Sequence, residues 1–125
     1  MTLGSVERPE RVAEALLGMS RSIRYAAVSL DGTLVMRAAA GRRNASSAES
    51  DQFEELLVNP TLLAITGARG AIDCGGLRFL VVAYPAFFAL VVPMAGGHAT
   101  VSLPRSADPV ALASAVDAVL RSSEG

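Results

Sequence analysis

The chain has 125 residues, of which 51% are hydrophobic and 18% charged, with a net charge of −1 and an isoelectric point near 5.8. Its basic residues are all arginine and stand singly apart from Arg42-Arg43, which argues against a nucleic-acid surface. Cys74 is the only cysteine, so an intrachain disulfide and a cysteine-built metal centre are both excluded and a reducing, cytoplasmic setting is expected.

At this length one domain, residues 1–125, is expected, with a two- or three-layer core that needs neither disulfide nor metal. The charged share lies below the usual ~25%, so part of the surface is expected to be covered by a partner. The opening MTLGSVERPE lacks the charged-then-apolar layout of a secretory leader.

Residues 7–20 read as a first helix, with Val12, Leu16 and Met19 on one side and Pro9 in its first turn. Residues 23–30 alternate as a strand, and 33–39 resume as a second. Asp31-Gly32 between them is a hairpin signal, because a type I′ turn requires positive φ at both central residues. After a polar loop, Ser46-Ser-Ala-Glu49 fits a capping box for a helix that carries Phe53, Leu56 and Leu57. Pro60 is expected to interrupt that helix, leaving a short second one that ends at Gly67. A glycine-punctuated connection, 67–76, then leads to strands over 78–84, 87–92 and 98–103. Asp108-Pro109 opens the last helix, with Leu112, Val116, Val119 and Leu120 as its apolar stripe.

The apolar run from Leu77 to Met94 carries a single charge in eighteen residues. It is shorter than the ~20 residues of a membrane span and is broken by Pro85-Ala86, so it reads as two buried strands joined by a tight turn and not as a membrane segment. The order α-β-β-α-β-β-β-α with short links predicts an α+β fold: a five-stranded antiparallel sheet between helical layers, a three-layer α/β/α arrangement. The strands FLVVAY and FFALVV are apolar on both faces, which demands cover on both sides.

Ser29-Leu-Asp-Gly-Thr-Leu34 nearly spells the D-x-D-G-T signature of aspartate-dependent phosphatases, but Ser29 stands where the attacking carboxylate belongs, and the chain has no lysine. The hairpin is the better reading. His98 is expected at a strand edge with its ring partly exposed, and Cys74 as a small buried residue. Ser29, Asp73, Cys74 and His98 contain the residue types of a nucleophilic site, but no sequence context assembles them. The glycines of 67–76 match no phosphate-loop pattern. No catalytic residue, metal or cofactor is assigned.

YAAVSLDGTLVMRA resembles the A-x-V-V-S-x-D-G-x-L-x-A phrase of Roadblock (dynein light-chain) domains, and GGLRFLVVAYPAFFALVVPMAGGHATVSL resembles their three-strand meander. The helix order agrees as well, and the likeness spans nearly the whole chain. A middle helix broken at Pro60 departs from the family's continuous one. The resemblance implies a Roadblock/profilin-like fold and a homodimer built from the middle helix and the third strand. Here the interface residues would be Phe53, Leu56, Leu57, Leu77, Phe79, Leu80, Val81, Val82 and Tyr84. It also implies a non-enzymatic, cytoplasmic adaptor that binds or regulates a small Ras-like GTPase or another signalling partner. In that role Arg42, Arg43 and Arg69, expected in loops, are candidates to offer an arginine to a GTPase. The alternative is a PAS- or profilin-like small-molecule sensor, since the same architecture also encloses ligand pockets; an enzyme using Cys74 or His98 ranks below both.

Overall fold

The computed structural model describes residues 7–39 and 48–124. Helix α1 (Glu7–Met19) is followed by the hairpin β1 (Tyr25–Leu30) and β2 (Thr33–Ala38). At its turn Asp31 and Gly32 take φ of 50° and 85°, the pair of positive values that a type I′ turn needs. The polypeptide then forms α2 (Ala48–Phe53), a π-helical turn (Glu54–Val58) and α3 (Asn59–Asp73), which run on without a gap as one middle helix. A meander of β3 (Leu80–Ala83), β4 (Phe88–Met94) and β5 (Gly97–Leu103) precedes α4 (Pro109–Glu124). Asp108 caps α4, its carboxylate accepting from the amides of Val110 and Ala111 at 3.1 and 3.2 Å.

The five strands pair antiparallel in the order β2-β1-β5-β4-β3. Strand alternation then sorts the side chains. Ala26, Val28, Leu30, Leu90, Val92, Val101 and Leu103 form one core with Val12 and Leu16 of α1 and Val116 and Leu120 of α4. His98, Thr100 and Ser102 point the other way, where the middle helix lies. The central strands are therefore covered on both faces, as their unbroken apolar pattern requires. Two turns lock the β1 end of the sheet: the amide of Asp31 donates to the carbonyl of Gly96 at 2.9 Å. A Cβ on Gly97 would fall 1.7 Å from the carbonyl oxygen of Ser29.

The apolar run of residues 77–94 resolves into β3 and β4, closed where the amide of Tyr84 donates to the carbonyl of Phe87 at 2.9 Å. Among the described residues no helix is long and apolar enough to cross a membrane. The expected capping box at Ser46 lies outside the described residues.

Three expectations are corrected. Pro60 does not break the middle helix. A proline lacks an amide proton and crowds the carbonyl four residues back, but the preceding turn widens by one residue. The amide of Asn59 bonds the carbonyl of Glu54, a five-residue step that admits the ring. Gly67 does not end the helix either, and the chain stays helical to Asp73. The stop comes where the amides of Cys74 and Gly76 both donate to the carbonyl of Gly70, at 2.9 and 3.1 Å, with Gly75 and Gly76 at positive φ. The third strand is accordingly shorter than expected, beginning at Leu80 instead of Arg78.

Candidate functional site

The middle helix has a polar inner face at one point and an apolar outer face along its length. At the π-helical turn Glu55 and Asn59 face β5, and both are fully buried with His98 and Thr100. Glu55 Oε1 accepts from Thr100 Oγ1 at 2.9 Å and from Asn59 Nδ2 at 3.4 Å. His98 Nε2 lies 2.9 Å from the same oxygen, and Asn59 Nδ2 also donates to Thr100 Oγ1 at 3.2 Å. Glu55 Oε2 and Asn59 Oδ1 are buried without a partner among the described residues. In a low-dielectric layer such a network holds one helix register firmly, since sliding the helix would strand several polar groups. The legible signs were the four-residue spacing of Glu55 and Asn59 and the alternate placing of His98 and Thr100.

This placement corrects the expectation of a partly exposed His98. Ser29 lies opposite His98 in the β1–β5 register, but its side chain is not among the partners of the His98 ring, whose Nε2 atom is turned to Glu55. Cys74 is likewise corrected: it is exposed at the end of α3, where Sγ donates to Asp73 Oδ1 at 3.2 Å. Cysteine and histidine thus occupy separate places with separate partners. Arg69 sits within α3 and not in a loop, paired with Asp73 at 2.7 Å, and holds that carboxyl below the usual carboxylate range. Arg42 and Arg43 lie outside the described residues.

On the outer face Phe53, Leu56, Leu57, Ile65 and Ile72 are each more than half exposed. The helical repeat aligns them as one apolar stripe. Beside the helix, β3 is the last strand of the sheet and leaves one backbone edge unpaired among the described residues. Phe79 and Val81 pack into the α1–α4 core. Leu80 and Val82, opposite Val91 and Ala89 in register, take the middle-helix side and are half-buried. Leu77 and Tyr84, also half-buried, flank the strand.

A groove of about 400 Å³ opens where the start of the middle helix meets the β3–β4 turn, lined by Asp51, Phe53, Glu54, Val58, Tyr84 and Phe87 among others. The Tyr84 hydroxyl donates to Glu54 Oε2 at 2.5 Å, and the Tyr84 and Phe87 rings lie 5.2 Å apart. Burial of Glu54 pushes its carboxyl up, although the bond from Tyr84 works against the shift. Burial, and then the neighbouring Glu54, push the Tyr84 phenol up to about 12.

No protein-family model matches the chain, and no curated protein matches it significantly. Solved structures do. A Roadblock/LC7 domain from Streptomyces avermitilis superposes with a TM-score of 0.67 at 17% identity, covering 91% of this chain and 92% of that one. An MglB described in a tetrameric arrangement gives 0.64 at 19% identity, covering 99% and 94%. The gliding protein MglB from Thermus thermophilus gives 0.62 at 20%, covering 99% and 95%. With the strand order, the hairpin and a middle helix continuous after all, this likeness establishes that the chain has the Roadblock/LC7 fold.

Proposed function

We propose that this protein is a non-enzymatic homodimeric adaptor of Roadblock type, which binds or regulates a small Ras-like GTPase or another signalling protein through its surface. The observation that carries the reading is the apolar stripe of Phe53, Leu56, Leu57, Ile65 and Ile72 beside the unpaired edge of β3. Large side chains held exposed along one helix are costly in water, and they mark a surface that another protein covers. An apolar edge strand next to them offers main-chain pairing to the same partner. A second copy satisfies both at once, extending the sheet while the two stripes meet. The proposed interface thus comprises Phe53, Leu56, Leu57 and the β3 segment with Leu77, Phe79, Leu80, Val81, Val82 and Tyr84. The faces left over would serve the second partner.

Light scattering across the micromolar range tests the dimer on wild type and on Val82→Arg, which sets a charge on the inner side of the edge strand. A wild-type dimer that this change converts to a folded monomer supports the reading. A folded wild-type monomer overturns it and favours the small-molecule sensor, for which the groove at Tyr84 is then the place to look. The regulatory half is tested by binding to a purified small GTPase from the same genome, loaded with GTP or GDP. Equal failure with both forms removes the GTPase as partner.

A further inference from the structure

The charges near the proposed interface are distributed by end. Between Ala48 and Asp73 the acids Glu49, Asp51 and Glu54 crowd the start, with Glu55 buried against β5, whereas at the finish Arg69 and Asp73 pair with each other. Among the described residues the unpaired base at this end is Arg78, which precedes β3, and the next charge along the chain is Arg105. Tyr84, with its bond to Glu54, stands at the opposite end of β3 from Arg78. A surface acidic at one end and basic at the other is self-complementary under an antiparallel two-fold and repulsive under a parallel one.

The strand makes this specific. Antiparallel pairing of β3 (Leu80–Ala83) with its copy must set residues of the same face opposite each other; a two-fold at Val81 does so, with Leu80 opposite Val82 and Arg78 opposite Tyr84. Paired strands lie ~4.8 Å apart, so the long Arg78 side chain of one copy reaches the mouth of the other copy's groove. We propose that the groove formed by Glu54, Tyr84, Pro85 and Phe87 is a socket for Arg78 of a second copy of this chain, occupied twice in the symmetric dimer.

The socket has the chemistry for a guanidinium. One carboxylate is oriented by the Tyr84 hydroxyl, and two tilted rings lie 5.2 Å apart, offering the faces on which arginine stacks. Asp51 adds negative charge at the rim. The burial that pushes the Glu54 carboxyl up is a cost that a cation entering the groove relieves. Arg78 is exposed and makes no ion pair among the described residues, its guanidinium resting 5.3 Å from the centre of the Phe79 ring. A cation–π contact at an exposed site is weak enough to be exchanged for the socket.

The inference rests on the dimer reading and adds the contact that sets its orientation. The test is a charge-exchange series, Glu54→Arg, Arg78→Glu and the two together, with dimer dissociation followed by fluorescence-detected sedimentation and folding checked by circular dichroism. Each single change is expected to weaken the dimer by at least ~10-fold, as for loss of a close interfacial charge pair. The double variant should return to within ~3-fold of wild type, a non-additivity that only a direct contact produces. A wild-type dimer that both single changes leave intact, or a double variant no tighter than the weaker single one, overturns the socket while the dimer stands. A wild-type chain that is monomeric throughout overturns both. Should a single variant fail to fold, Glu54→Gln and Arg78→Gln carry the same comparison, with loss of dimer affinity expected from each and unchanged affinity overturning the socket.

Discussion

Glu55 Oε1 lies 2.9 Å from His98 Nε2 between the π-helical turn and β5, with both side chains almost wholly buried. The contact joins residues 43 positions apart and pins the middle helix to the sheet at the point where that helix is irregular. Removing one member of a buried polar pair strands the other, at a typical cost of ~3–5 kcal/mol, whereas exchanging both for apolar groups is often neutral. His98→Leu and Glu55→Leu should therefore each lower unfolding stability by about 2–4 kcal/mol, while the double variant loses less than the two combined. Urea denaturation of the four proteins measures the coupling, and strict additivity would show that the pair is not acting as one.

Gly67 and Gly70 both lie within α3 but should respond oppositely to alanine. A Cβ on Gly67 meets nothing within 4 Å, so Gly67→Ala should gain about 0.5–1 kcal/mol from helix propensity. A Cβ on Gly70 would fall 2.1 Å from the carbonyl oxygen of Gly76, inside the turn that closes the helix. Gly70→Ala should cost about 1–3 kcal/mol in spite of the same propensity gain. Thermal melts of the two variants suffice, and a more stable Gly70→Ala would mean that the helix ends elsewhere.

The Glu54–Tyr84 pair gives a prediction in pH. The folded chain raises the Tyr84 phenol to about 12, above its unfolded value, so the unfolded state releases that proton first. The contribution of Tyr84 to stability is therefore complete below the ordinary phenol range and is lost as pH rises towards about 12. Glu54 follows the same sign at acid pH: its raised carboxyl favours the folded state below the usual carboxylate range, and that advantage fades as the pH rises through the folded value. Absorbance titration of tyrosinate, with Tyr84→Phe to identify its signal, should find Tyr84 ionising late. Glu54→Gln should bring it only part of the way back, because burial is the larger cause.

The outer stripe should matter to association and not to folding. Leu56 and Ile65 are each 64% exposed, so Leu56→Ser with Ile65→Ser should leave unfolding of the separated chain within about ±0.5 kcal/mol per site. Dimer affinity should fall at least ~10-fold, as truncation of apolar anchors at an interface commonly does. Dilution series and chemical denaturation of the same variant separate the two effects. An unchanged dimer would remove the stripe from the interface.

Local chemistry made much of this molecule legible in the sequence. Asp31-Gly32 between alternating runs is a hairpin because positive φ at two successive residues leaves few alternatives. The apolar run of 77–94 divides at Pro85 because neither half can continue through it, and strand period with short links then implies the antiparallel sheet. What depended on distant residues was decided only by the tertiary structure. Pro60 is tolerated because the preceding turn can widen, and docking on β5 favours keeping the helix going. Gly67 and Gly70, which read as breakers, lie within the helix, and at Gly70 the missing Cβ leaves the room that the close approach of Gly76 requires. His98 is buried and Cys74 exposed for the same reason: burial belongs to the layer a residue faces, and which side chain meets Glu55 across 43 positions is set by packing, for which no local pattern stands in.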